Sequence, residues 1–157
     1  MTLPAHQLNI VLVEPEIPQN AGNVARLCAV SGARLHLVRP LGFFMTDRHF
    51  KRAGMDYLKN VPMTVHEDVG ALLAAIGAGR VWITSGFGTR PYWDADFRAG
   101  DWIFFGKESA GLPTALREKF GGSELVIPML PEQRGINLAT SVGIVLYEAI
   151  RQITTAP

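Results

Sequence analysis

Three stretches of the chain gather the residue types that can do chemistry: EPEIPQNAGNVAR (residues 14–26), FGKESAGLP (105–113) and IPMLPEQRGINLATS (127–141). Each follows directly on an apolar run that reads as a strand, which is where ligands collect in open α/β sheets. Their chemistry is that of amides, carboxylates and cations. Asn20 can cap a helix through its carbonyl or serve a site. Arg26 lies six residues later in an otherwise apolar helical stretch, where a guanidinium must either snorkel to solvent or meet an anion. Glu108 leads into a helix, and a carboxylate is favourable near a helix N-terminus. Asn137 and Ser141 are four apart and share one helix face near its start.

Other chemistries are disfavoured. Gly86 and Gly88 supply a G-x-G after a strand, but Thr89, Arg90 and Pro91 stand where a dinucleotide fingerprint needs its third glycine and a helix start. Gly106 and Lys107 mimic the end of a phosphate loop, yet Glu108 replaces the required hydroxyl residue. His6, His36, His49 and His66 share no metal-ligand spacing with Cys28 or with one another, so no metal is expected.

These segments need a scaffold, and the hydrophobic pattern supplies one. Residues 8–13 read as a buried strand, and a helix capped by Asn20 runs on to Gly32. Residues 33–39 read as a second strand, and Thr46 is expected to cap a short basic helix through Arg52, with 53–57 as a loop. Strand 62–66, helix 67–76, strand 80–85, an irregular aromatic loop, strand 101–106, a helix from Pro113 to about Phe120, strand 124–129 and a closing helix 136–153 complete the pattern. Alternation of this kind predicts an α/β fold, a mainly parallel sheet with flanking helices, in a single domain 1–157. The closing helix carries apolar residues on nearly every face, which calls for burial on both sides and hence a homodimer. Trp82 and Trp102 fall on strands as core residues, whereas Trp93 and Tyr92 fall in the loop.

Composition narrows the partners. One cysteine among 157 residues cannot form an internal disulfide, which suits a reducing, cytoplasmic setting. No basic leader and no apolar run of membrane-spanning length is evident, so no membrane association is expected. The net charge is only +1, but residues 26–59 hold seven cations (Arg26, Arg34, Arg39, Arg48, Lys51, Arg52, Lys59) against Asp47 and Asp56, a local +5 that leaves −4 elsewhere. Such asymmetry points one face at a polyanion.

Taken in order, the motifs Asn20, Gly22, Asn23, Arg26; then Phe105, Gly106, Glu108, Gly111, Leu112, Pro113; then Ile127, Pro128, Met129, Arg134, Asn137, Leu138, together with AGMDY at 53–57, resemble the SPOUT superfamily of RNA methyltransferases. Within it the chain is similar to the small bacterial tRNA wobble-position 2′-O-methyltransferases. The resemblance implies a C-terminal deep trefoil knot, a homodimer, tRNA as substrate, and S-adenosyl-L-methionine held among the knot loops by Thr84, Gly106, Ile127, Gly135 and Ile136, with S-adenosyl-L-homocysteine as product. It implies catalytic-site membership for Arg26, Asn20, Asn137, Glu108 and Tyr147, the last directed at the partner's site. Arg26, with Arg48, Lys51 and Arg52, is expected to meet RNA. Gly135 stands where relatives often carry serine, and Ala139 and Thr140 where they often show Ser and Asn, so a hydroxyl contact to the cofactor is expected to be missing.

Overall fold

The computed structural model describes residues 1–156. Seven strands form one sheet: β1 (Asn9–Val13), β2 (Arg34–Val38), β3 (Met63–His66), β4 (Val81–Thr84), β5 (Arg90–Pro91), β6 (Trp102–Phe105) and β7 (Glu124–Val126), in spatial order β3-β2-β1-β6-β4-β7-β5. Every pairing is parallel. Parallel strands are covered on both faces, and β1 illustrates it: Ile10 and Leu12 enter one core while Val11 and Val13 enter the other. The first core is roofed by α1 (Pro18–Ser31) and α5 (Leu138–Thr155), through residues such as Val24, Cys28, Val142 and Leu146. The second is closed by α3 (Val69–Ile76) and α4 (Thr114–Lys119), through Leu72, Ile76 and Leu116.

The local readings hold for most elements and fail at several of their ends. Helix α1 starts at Pro18 with Ile17 as its N-cap, so Asn20 lies inside the first turn and not at the cap. Gly32 ends α1 in the left-handed conformation, φ 84°, which a residue with a Cβ adopts at a cost. Helix α2 (Arg48–Gly54) is capped by Asp47, whose side chain accepts from His49 N and Phe50 N, and not by Thr46. Residues expected as a loop after it instead continue α2 to Gly54 and then form a 3-10 turn, Met55–Lys59. The aromatic loop contains β5, too short to leave a periodic signature, and a 3-10 turn at Tyr92–Asp94. The last strand ends at Val126, and irregular backbone takes over as far as Asn137.

Two glycines permit close approaches between elements. Gly22 of the first motif faces α2: a Cβ there would stand 2.5 Å from Phe50 O, so glycine lets the basic helix lie directly on α1. Strand β7 sits between β4 and β5, although those two are consecutive in the chain, and the linker 85–89 packs onto β7 at Gly88, where a Cβ would lie 2.8 Å from Leu125 C.

A buried polar chain crosses the sheet on the α3 side. Asn9 Nδ2 donates to Gln7 O (3.2 Å) and Gly100 O (3.3 Å), so its Oδ1 is free to accept from His36 Nε2 at 3.1 Å. That fixes the tautomer: His36 Nδ1 accepts from His66 Nε2 at 3.0 Å. Protonating His36 would set two N–H groups against each other. Burial, with the charges of His66 and Arg34 added, pushes the His36 imidazole down to about 4, and burial also lowers His66. A histidine whose value is depressed by folding stabilises the fold above its ordinary value and loses that contribution as pH falls toward the depressed one. Thermal denaturation followed by circular dichroism should therefore show the melting temperature falling as pH drops from about 6.5 to 5, before carboxylates begin to titrate. His36→Gln should flatten that limb; an equally steep fall would remove His36 as its cause.

Candidate active site

The three motif segments converge on one cavity of about 570 Å³ at the C-terminal ends of β4, β6 and β7, within the range of about 300–1,000 Å³ usual for small-molecule sites. Its walls come from loops that the sheet order brings side by side. Thr84 ends β4, Gly106 follows β6, and Ile127, Gly135 and Ile136 belong to the irregular segment after β7; all five line the cavity. So do Asn20, Glu108, Asn137 and Ser141.

Glu108 is a strut between two loops. Its Oε2 accepts from Glu16 N at 2.8 Å, and its Oε1 accepts from Ile17 N at 3.1 Å and Asn20 Nδ2 at 3.2 Å. It thereby anchors the two residues that lead into α1 from 92 and 91 residues away along the chain, while Ile17 O accepts from Asn20 N and Ala21 N in the first turn. The contact is reciprocated: the Glu16 carboxylate accepts from Ser109 N (2.9 Å) and Ser109 Oγ (2.8 Å), and the Ser109 hydroxyl holds that carboxyl below its ordinary range. Asn20 continues the chain of contacts, its Oδ1 accepting from Asn137 Nδ2 at 3.0 Å. Asn137 Oδ1 in turn caps α5 by accepting from Ala139 N and Thr140 N. One polar relay, Glu108 to Asn20 to Asn137, thus fixes the starts of α1 and α5 relative to the loop after β6.

The cavity floor is close-packed backbone. A Cβ on Gly106 would overlap Gly111 C and Leu112 N, because the turn 107–111 folds back on itself through Gly111 N to Lys107 O (2.8 Å). The Thr84 hydroxyl is occupied, donating to Phe104 O at 2.8 Å, so Thr84 offers the cavity its backbone and methyl group. Around Gly135 the space is open, with nothing within 4 Å of where a Cβ would stand. Apolar walls (Leu112, Ile127, Ile136, Leu138) beside glycine-lined backbone suit a ligand with a flat apolar part and hydrogen-bonding edges.

Cations border the cavity in held positions that spacing alone did not reveal. Lys107 Nζ lies 3.4 Å from Glu14 Oε2, and Arg117 Nε 2.8 Å from Glu124 Oε1. The Arg117 hydrogen bond, with that of Ser85, holds the Glu124 carboxyl below its ordinary range against the opposing effect of burial.

Arg26 does not line this cavity. It is exposed, with Nη1 3.5 Å from Met55 Sδ and its guanidinium 5.3 Å from the Tyr57 ring centre. Six residues of α-helix separate it from Asn20, about 9 Å along the axis and roughly 240° around it. Tyr147, 44% exposed on α5, is likewise outside the cavity lining. Arg48, Lys51 and Arg52 are exposed on α2, which α1 carries at Gly22.

Known proteins resemble this chain over most of its length. Residues 7–147 match the model of the SpoU rRNA Methylase family. The chain is 46% identical over 147 residues to the tRNA (cytidine(34)-2'-O)-methyltransferase of Burkholderia cenocepacia, covering 92% of this chain and 94% of that protein. It is 42% identical to the enzyme of the same name from Escherichia coli, covering 93% and 94%. Among solved structures, one described as giving insights into the 2-OH methylation of C/U34 on tRNA superposes with a TM-score of 0.92 at 46% identity, covering 96% of this chain and 99% of that one. An AdoMet-bound rRNA methyltransferase from Sinorhizobium meliloti superposes with a TM-score of 0.84 at 25% identity, covering 96% of this chain and 58% of that one. With the match running from before β1 into α5 and taking in every loop of the cavity, the chain belongs to the SpoU methylase family.

Proposed function

We propose that this single domain transfers a methyl group from S-adenosyl-L-methionine to the ribose 2′-hydroxyl of the wobble cytidine or uridine of a tRNA, in the cytoplasm and as a homodimer. The observation that carries the reading is the convergence of Asn20, Glu108 and Asn137, from three separate segments, on one cavity in a chain so similar to enzymes named for that reaction. Thr84, Gly106, Ile127, Gly135 and Ile136 would hold the cofactor, largely through backbone groups beside apolar walls. When bound, it supplies an electrophilic methyl group on a positively charged sulfur.

The ribose hydroxyl must shed its proton as its oxygen bonds to the methyl carbon and the carbon–sulfur bond breaks. A guanidinium is a poor proton acceptor, so Arg26 acts as a fixed cation that orients the nucleotide and stabilises charge growing on the oxygen. The proton leaves through a neighbouring group or water. Because Arg26 is off the cavity of its own subunit, it serves the cavity of the partner. Apolar surface left open on two neighbouring helices, Val30 of α1 and Tyr147 of α5, supports the dimer. What supports a trefoil knot is the placement of β7 between β4 and β5, with their linker packed onto it at Gly88; in the proposed knot the segment after Val126 would thread that loop to reach α5. Among the described residues no helix is long and apolar enough to cross a membrane.

Mass spectrometry of nuclease-digested tRNA after incubation with the protein and S-adenosyl-L-methionine should find a wobble nucleotide one ribose methyl heavier. Cofactor binding without any methylated tRNA would overturn the reading. The exposed cluster Arg48, Lys51 and Arg52 grips phosphates in this picture. Replacing all three by Gln should lower the slope of log affinity against log salt by up to about 2, at roughly 0.7 per lost contact, with cofactor affinity unchanged. An unaltered slope would move the RNA surface elsewhere.

A further inference from the structure

Phe87 is 74% exposed, yet two contacts hold it, one at its backbone and one at its ring. Its backbone N donates to Ser85 Oγ at 3.0 Å, and that hydroxyl donates to Glu124 Oε1 at 2.5 Å. Glu124 also takes Arg117 Nε, and the Arg117 guanidinium stands 4.3 Å from the centre of the Phe87 ring. Ring, guanidinium and carboxylate form a built stack on the linker 85–89, and both Phe87 and Arg117 border the cavity.

We infer that Phe87 is a stacking platform for a nucleobase of the RNA substrate at the mouth of the cofactor cavity. An aromatic ring left in water forfeits the stabilisation that burial would give it, so its order on the surface needs a cause. Arg117 covers one ring face and leaves the other open. A base has a π-face to set against it, and an already immobilised ring loses little freedom on binding. The position separates RNA from cofactor: the enclosed part of the cavity is the backbone and apolar wall at Thr84, Gly106, Leu112 and Ile127, whereas Phe87 stands at the rim, mostly exposed. A nucleotide whose ribose is brought to the cavity must pass that rim.

The inference rests on the RNA-methyltransferase reading, and the test keeps the two apart. Anticodon stem-loops carrying 2-aminopurine at the target position and, in turn, at each flanking position are titrated with the dimer in the presence of S-adenosyl-L-homocysteine. Stacking on Phe87 quenches the fluorescence of at least one of them. Phe87→Leu, which keeps apolar bulk and removes the ring, should abolish that quench at saturation and weaken RNA binding by about 10-fold, within the range expected for one stacked base. Phe87→Tyr should retain both, and calorimetry should show cofactor affinity within twofold of wild type for each variant. A quench that survives Phe87→Leu would overturn the platform. So would loss of cofactor affinity with RNA binding intact, which would assign the ring to the adenine, or a dimer that falls apart in Phe87→Leu. A Phe87-dependent quench on RNA that wild type never methylates would leave the platform standing and sink the enzymatic reading instead.

Discussion

Arg26→Ala should reduce single-turnover methylation at saturating RNA by about 10³-fold, the scale of removing one charge-stabilising donor, while S-adenosyl-L-methionine still binds. The two effects separate because Arg26 does not line the cavity, and its contacts among the described residues are the Met55 sulfur and the Tyr57 ring. Arg26→Lys discriminates between roles: a purely electrostatic cation would leave partial activity, whereas a role for the planar fork would leave almost none. Near-normal turnover in Arg26→Ala would refute the assignment and shift attention to Asn137 and Glu108. Those two have their side-chain groups committed to the relay, which makes them positioning residues first.

The proposed action of Arg26 across a homodimer makes a sharper demand. Gly135 lines the cavity and has open space where a Cβ would stand, so Gly135→Trp is the variant chosen to plug it. Neither Arg26→Ala nor Gly135→Trp homodimers should turn over. Randomly mixed subunits should recover about a quarter of wild-type activity, since half the dimers pair an open cavity with a partner's intact Arg26 and each such dimer has one working site. No recovery on mixing, with heterodimers verified, would place Arg26 in the cavity of its own chain.

The sequence carries the sheet well and the site only in pieces. Strand β1 is legible because two-sided burial demands a nearly unbroken apolar run, β2 because its apolar residues alternate, and α1 ends at Gly32 because φ 84° favours glycine. The start of α1 is not legible: the amides of the two residues leading into it, Glu16 N and Ile17 N, are met by Glu108, which no local pattern connects to them, so Asn20 reads as the cap. The same long-range logic hides the Phe87, Arg117, Glu124 stack, whose members lie on three different elements. The cavity residues were found through motif resemblance, and they include Gly106 and Gly135, which physics treats very differently.

Gly106 is the position where one methyl group should do most damage. The chain after β6 turns back at once, and Gly111 C and Leu112 N occupy the volume that a Cβ on Gly106 would need. Backbone cannot rotate aside as a flexible side chain can, so Gly106→Ala must open the turn closed by Gly111 N and Lys107 O at 2.8 Å. Glu108 rides on that turn, and moving it releases Glu16 N, Ile17 N and Asn20 Nδ2 together. Overpacking of this kind costs about 1–3 kcal/mol or more, which for a chain of this size lowers the melting temperature by roughly 3–10 °C. Cofactor affinity should fall further than stability does, by at least about tenfold, because the displaced turn is itself a wall of the cavity and feeds the relay to Asn137. Gly135→Ala is the internal control: with nothing within 4 Å of the added atom, melting temperature and cofactor affinity should both stay close to wild type. Gly135→Ser goes one step on and adds a hydroxyl; a new hydrogen bond to the cofactor would tighten binding by up to about tenfold. Calorimetry and melting curves on the three variants decide the matter, and a Gly106→Ala protein that melts and binds like wild type would show that the turn can yield where its packing says it cannot.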